Sequence, residues 1–171
     1  MKEKHEFHTL KVLMTFVIFI LFMKVYVLTV FTVDGASMDP TLSDGELIIV
    51  DRFGYNYQKV ERYDVIVFKH KDGTYFVKRV IGLPGEHIAL QEKSIYINQE
   101  RLAENYLIEQ GQPFTLGEVT GKKRLPSQSY FVLGDHRTHS LDSRNFGYIH
   151  RQQIVGKVFM RYFPTVKSIN K

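Results

Sequence analysis

The sequence predicts a mainly β protein, an antiparallel, barrel-like domain preceded by one N-terminal transmembrane helix. Two observations carry that expectation. Short β-branched and aromatic runs recur between turn signals such as Asp72-Gly73 and Pro84-Gly85, with no long helical period competing. Ahead of them lies an apolar stretch that begins at Val12 and resumes after Lys24. A length of 171 residues suits one domain, and 44% hydrophobic with 24% charged residues describes a globular chain.

Val12 to Met23 is apolar apart from Thr15, and the pattern continues from Val25 to Val33, 22 residues in all with Lys24 included. At about 1.5 Å per residue such a helix spans about 33 Å, enough for a hydrocarbon core of about 30 Å. Lys24 at mid-bilayer would cost roughly 2.5 to 3.5 kcal/mol, so it is expected to snorkel outward, with Lys11 at the inner face. Lys2, Lys4 and Lys11 precede the run and Asp34, Asp39, Asp44 and Glu46 follow it, which puts the N-terminus in the cytoplasm. The expected division is a cytoplasmic segment 1–11, an anchor 12–30 and an extracytoplasmic β domain 31–171. A cleaved secretory signal is the rival reading, since Val33-x-Gly35 offers small residues. Cleavage there would strip Ser37 of the segment that positions it.

Ser37 stands in Val33-Asp34-Gly35-Ala36-Ser37-Met38-Asp39-Pro40-Thr41-Leu42, between the apolar segment and the first expected strand. Gly35 and Ala36 leave little bulk beside the hydroxyl, and Pro40 biases Asp39 away from helix. A serine hydroxyl needs a base, an oxyanion donor and exclusion of water to act as a nucleophile. Strands are expected at Glu46 to Val50, Asp64 to Phe68, Tyr75 to Ile81, His87 to Gln91, Ser94 to Ile97, Tyr130 to Leu133 and Ile154 to Tyr162. Residues 101 to 129 have no clear period and read as extended connection. In the Tyr75 to Ile81 run, Phe76, Lys78 and Val80 share one face while Arg79 points away. An ordinary lysine titrates near about 10.4, and burial among apolar neighbours lowers it, so Lys78 is the candidate base.

Three blocks carry a resemblance. Val33 to Thr41, Val77-Lys78-Arg79-Val80-Ile81-Gly82-Leu83-Pro84-Gly85-Glu86 and Gly134-Asp135-His136-Arg137-Thr138-His139-Ser140-Leu141-Asp142-Ser143-Arg144 resemble, in order, the signature blocks of type I signal peptidases, in the compact Gram-positive form. The resemblance implies a membrane-anchored serine endopeptidase that removes signal peptides from exported preproteins. It further implies that Ser37 attacks the scissile carbonyl and Lys78 is the general base. Ser140 would hydrogen-bond and orient the lysine, Asp142 and Arg144 would pair structurally, and Asp135 would partner Arg79. Phe31, Val33, Met38, Leu42 and Val77 would line shallow pockets for small residues one and three positions before the cut. The peptide would lie as an added strand near Phe31 to Gly35 and Phe76 to Lys78. His136 stands where the family usually has asparagine. Gly35 replaces the hydroxyl residue of many Gram-negative relatives, leaving the Ser37 N–H more of the oxyanion load.

No cofactor or metal is expected; a site built on His136, His139, Asp135 and Asp142 is the metal alternative. Zero cysteines exclude disulfides and thiol catalysis, and no nucleic-acid motif accompanies the net charge of +5. Expected partners are signal peptides and membrane lipid, with Phe53, Tyr55, Tyr57, Tyr162 and Phe163 as candidate lipid contacts. The chain is expected to be monomeric, in the bacterial cytoplasmic membrane. A catalytically silent tethered homologue and a self-cleaving Ser-Lys regulator use the same residues, and cleavage of an Ala-x-Ala peptide separates the first from the enzyme.

Overall fold

A computed structural model describes residues 2–22, 28–107 and 111–169. The chain begins with helix α1 (Lys2–Phe22), whose side chains from His8 to Leu21 are all exposed. Among the described residues no helix is long and apolar enough to cross a membrane. Lys24, on which the snorkelling expectation rests, lies outside them. The anchor was expected to reach Val30, but Leu28–Thr32 form strand β1, whose Thr, Val and Phe residues suit a pleated strand.

The larger sheet has β1 at one edge and continues through β2 (Leu47–Asp51), β11 (Ile154–Phe163), β3 (Val65–Lys69), β4 (Tyr75–Gly82), β9 (Ser129–Leu133) and β10 (Ile149–His150). A short strand, β12 (Lys167–Ser168), pairs with β11. The smaller sheet runs β7 (Glu100–Arg101), β6 (Ser94–Ile97), β5 (Ile88–Gln91), β8 (Phe114–Thr115). All pairings are antiparallel. The sheets do not close into a barrel: β1 and β10 are opposite edges of an open sheet. Short helices α2 (Phe53–Tyr57), α3 (Leu116–Thr120) and α4 (Ser143–Phe146) fill the connections.

Sequence dictates how this sheet buries its two faces. In β3, Val65 and Val67 join one apolar cluster with Met38, Leu42, Ile48, Val50 and Val158, while Ile66 and Phe68 join another with Val80, Val132 and Ile154. Alternation across the pleat thus feeds two cores from one strand. A third cluster, including Ile81, Ile88, Leu90, Ile95 and Phe131, joins the smaller sheet to the larger. The segment 101–129, expected to be irregular, contains β8 and α3. Thr115 and Glu118 cap α3 reciprocally and Gly121 ends it in the left-handed region. Tyr55, a candidate lipid contact, is 1% exposed and part of the core, whereas Phe53, Tyr57, Tyr162 and Phe163 are exposed.

Candidate active site

Ser37 sits in the turn after β1, and Lys78 lies mid-β4, registered against Ile66 of β3. Their meeting point is the centre of the site: Lys78 Nζ and Ser37 Oγ are hydrogen-bonded at 2.6 Å. Gly35, at φ +84°, turns the chain into this position and donates its N–H to Asp44 at 2.7 Å. The Ser37 carbonyl accepts the His136 N–H at 3.1 Å. The Ser37 N–H itself donates to no acceptor among the described residues.

Lys78 is 3% exposed. Burial pushes its amine down to about 8 from an ordinary 10.5, against the pull of the Asp142 and Asp135 carboxylates and with the help of Arg144. The Phe76 ring lies 5.6 Å from its nitrogen. Next door, Arg79 donates from Nε to Asp135 Oδ1 at 2.8 Å and from Nη2 to Oδ2 at 2.6 Å. Thr41 closes this clamp by donating to Asp135 Oδ2 at 2.5 Å and accepting from Arg79 at 3.1 Å. The Arg79 side chain, on the face away from Lys78, is 7% exposed, enclosed by that clamp and the Tyr106 ring.

The loop after β9 brings the third block together. Arg144 donates to both oxygens of Asp142, at 2.8 and 2.7 Å, and Asp142 also accepts the Gly134 N–H at 3.0 Å. Ser140 departs from expectation: its Oγ is buried and has no hydrogen-bond partner, so it does not hold Lys78. It is packed instead over Gly134, where an added Cβ would lie 2.2 Å from Ser140 Oγ and 2.5 Å from the Ser37 carbonyl oxygen. His136 Nε2 and His139 Nδ1 face one another at 3.0 Å. Asp135 and Asp142 are committed to arginines, and among the described residues no group of three or more His, Cys, Asp or Glu could hold a metal ion.

Beside the Ser37–Lys78 contact lies a largely apolar cleft of about 220 Å³. Of the pocket residues that the resemblance implies, Phe31, Val33, Met38 and Val77 line it, together with Phe76 and with Tyr75 and Leu141, which sequence reasoning missed. Leu42 does not reach it, being 0% exposed in the core, and Gly35 is likewise absent from its walls. The periodicity that flags an apolar residue cannot tell a core position from a pocket wall.

A family model described as "Signal peptidase, peptidase S26" matches residues 7–163. The chain belongs to the signal peptidase family, peptidase S26. It is 44% identical to signal peptidase I of Bacillus caldolyticus over 83% of each chain. Signal peptidase IB of Staphylococcus aureus is 39% identical over 81% of this chain and 80% of its own length. The solved signal peptidase I of Enterococcus faecalis, 37% identical, aligns with a TM-score of 0.56 over 59% of this chain and 97% of that one. The matched span contains Ser37, Lys78 and the whole 134–144 loop, and membership of the signal peptidase family makes the protein a serine endopeptidase.

Proposed function

We propose that this protein removes signal peptides from exported preproteins with Ser37 as nucleophile and Lys78 as general base. The observation that carries the reading is the 2.6 Å contact between the serine hydroxyl and a lysine whose proton affinity burial lowers to about 8. In the forward direction the neutral amine accepts the hydroxyl proton as Oγ adds to the scissile carbonyl. The Ser37 N–H donates to the developing oxyanion. The resulting ammonium then protonates the leaving amine, and a water deprotonated by the same lysine hydrolyses the acyl-enzyme. Arg79, Asp135, Asp142 and Arg144 keep the walls of the site in register.

Substrate binding follows from the sheet edge. An extended peptide adds beside β1, with the small apolar cleft taking side chains one and three positions before the cut and excluding larger ones. In the same proposal the exposed apolar face of α1, from Val12 onward, belongs to a membrane anchor, with residues 1–11 cytoplasmic and the domain from 31 on outside. The protein acts as a monomer at the bacterial cytoplasmic membrane.

The test uses full-length protein in detergent with a preprotein carrying an Ala-x-Ala site. Ser37→Ala is expected to yield no mature product while its circular dichroism stays native. Turnover above a few per cent of wild type, by roughly the scale at which nucleophile removal is judged, would remove Ser37 from the mechanism.

A further inference from the structure

The partner of Arg137 comes from a part of the chain that no catalytic reading uses. Arg137 pairs with Glu104, on the strap between β7 and β8, and the two side chains are only 1% and 3% exposed. The strap is itself secured. Tyr106 donates its hydroxyl to Glu104 at 2.7 Å and lays its ring 4.2 Å from the Arg79 guanidinium carbon. Burial, and then the Glu104 carboxylate, hold the Tyr106 hydroxyl well above its ordinary value, so it stays a donor. Tyr63 packs edge-on to Tyr106 and donates to the Ala103 carbonyl at 2.8 Å.

Arg137 uses its charge-satisfied guanidinium to hold backbone. Its Nε donates to the Gly134 carbonyl at 2.9 Å, and its own carbonyl accepts from Arg144 at 2.6 Å. Gly134 is the residue whose Cα leaves no room for a side chain against the Ser37 carbonyl and Ser140. Two residues on, the His136 N–H holds that same Ser37 carbonyl. One carboxylate on the smaller-sheet side therefore fixes, through one arginine, the stretch of backbone against which Ser37 rests. The strap also touches Arg79, whose partner Asp135 lies between these two anchor points.

We infer that Glu104 is a positioning residue for the Ser37–Lys78 dyad, acting through Arg137 on the Gly134–His136 backbone, with Tyr106 as its clasp. The inference rests on the dyad reading above. Removing the Glu104 carboxylate takes the paired charge from a buried guanidinium, whose rearrangement loosens its hold on Gly134. Displacing the serine by a fraction of an ångström slows the chemical step more than it weakens peptide binding in the cleft on the other side.

The test compares Glu104→Gln, Arg137→Gln, the double variant and Tyr106→Phe in the full-length protein. Rates on a short Ala-x-Ala peptide are taken per folded molecule, with Tm measured alongside. Glu104→Gln is expected to lower kcat by at least about tenfold with KM changed by less than about threefold, and Tyr106→Phe to lower kcat by only about two- to fivefold. The midpoint of the rate against pH should move up as water reaches Lys78, which is flanked by Ser37, Asp135, Asp142 and Arg144. The double variant removes both buried charges, so its Tm should recover while kcat and the midpoint stay displaced. If kcat recovers together with Tm, or Glu104→Gln keeps a wild-type rate and midpoint per folded molecule, the role is structural only and the inference is overturned. A different result marks failure of the dyad itself: wild type with no pH limb near 8, or an active Ser37→Ala protein, ends that reading and this one with it.

Discussion

On β4, Lys78 and Arg79 sit side by side at 3% and 6% exposure and point to opposite faces of the sheet. Burial disfavours the charge of both. For Arg79 that penalty is overcome by hydrogen bonds and attraction from Asp135, and its affinity for the proton ends above the ordinary value. Lys78 has no carboxylate within hydrogen-bond reach: its contact is a neutral hydroxyl, and Asp142 and Asp135, which pull on it from a distance, are already bound to Arg144 and Arg79. Burial alone therefore does not make a base. What separates the two cations is that every nearby carboxylate has been assigned to an arginine, leaving the amine near the edge of neutrality.

The largest expected effect erases the difference between them. Lys78→Arg places a second permanent cation on β4, and kcat should fall by roughly a thousandfold or more, within the range that general-base removal spans; preprotein cleavage per folded molecule measures it. Next comes the opposite manipulation. Asp135→Asn strands Arg79, and urea unfolding should report a loss of about 3 to 5 kcal/mol. Because Asp135 also pulls Lys78 upward, the rate midpoint of whatever folds should shift toward acid, and an alkaline shift would contradict the assignment of charges.

A smaller effect follows from linkage at Lys78. Its folded-state value lies near 8, below the ordinary 10.5 of the unfolded chain, so the unfolded state binds more protons between those limits. Stability attributable to this residue is lowest below pH 8 and rises by about 3 kcal/mol as pH climbs toward 10.5. Comparing the pH dependence of unfolding in wild type and Lys78→Met isolates that rise, and parallel curves would contradict it. Catalysis changes on the other side of that value: it should increase about tenfold per pH unit below 8 and level off above it. Smallest of all is Ser140→Ala. A buried hydroxyl that makes no hydrogen bond has none to lose, so the variant should be no less stable than wild type and gain up to about 1 kcal/mol as the unsatisfied group is removed. A large loss on denaturant titration would mean that this hydroxyl finds a partner in solution.

Much of this was legible in the chain. Each of the seven expected strands appears within about a residue of its place, because turn dipeptides and aromatic or β-branched runs mark them locally. Ser37, Lys78, the Arg79–Asp135 pair and the Asp142–Arg144 pair were likewise marked by short motifs. β1 was hidden because an apolar run reads equally well as a membrane helix or a buried strand. Sheet closure was not legible either, since strand count leaves open whether edges meet. Helix α3 had a usable signal in Thr115-x-x-Glu118 with Gly121 behind it. Glu104 had none: its importance lies in a pairing across 33 positions of sequence, and nothing local announces it.

The position of β2 in the sheet bears on when the enzyme first becomes active. This strand, which leads away from the Ser37 turn, is zipped between β1 and β11, with Leu47 opposite Phe163. Ser37 must find Lys78 across 41 positions, and Thr41 must find Asp135 across 94. A chain still emerging from the ribosome has synthesised its serine early but lacks β11, the strand that β2 pairs with, until Ile154–Phe163 has been made. High contact order of this kind slows folding, and it also acts as a timer. A copy truncated before β11 would be proteolytically silent, so hydrolytic competence arrives only once that strand has joined the sheet.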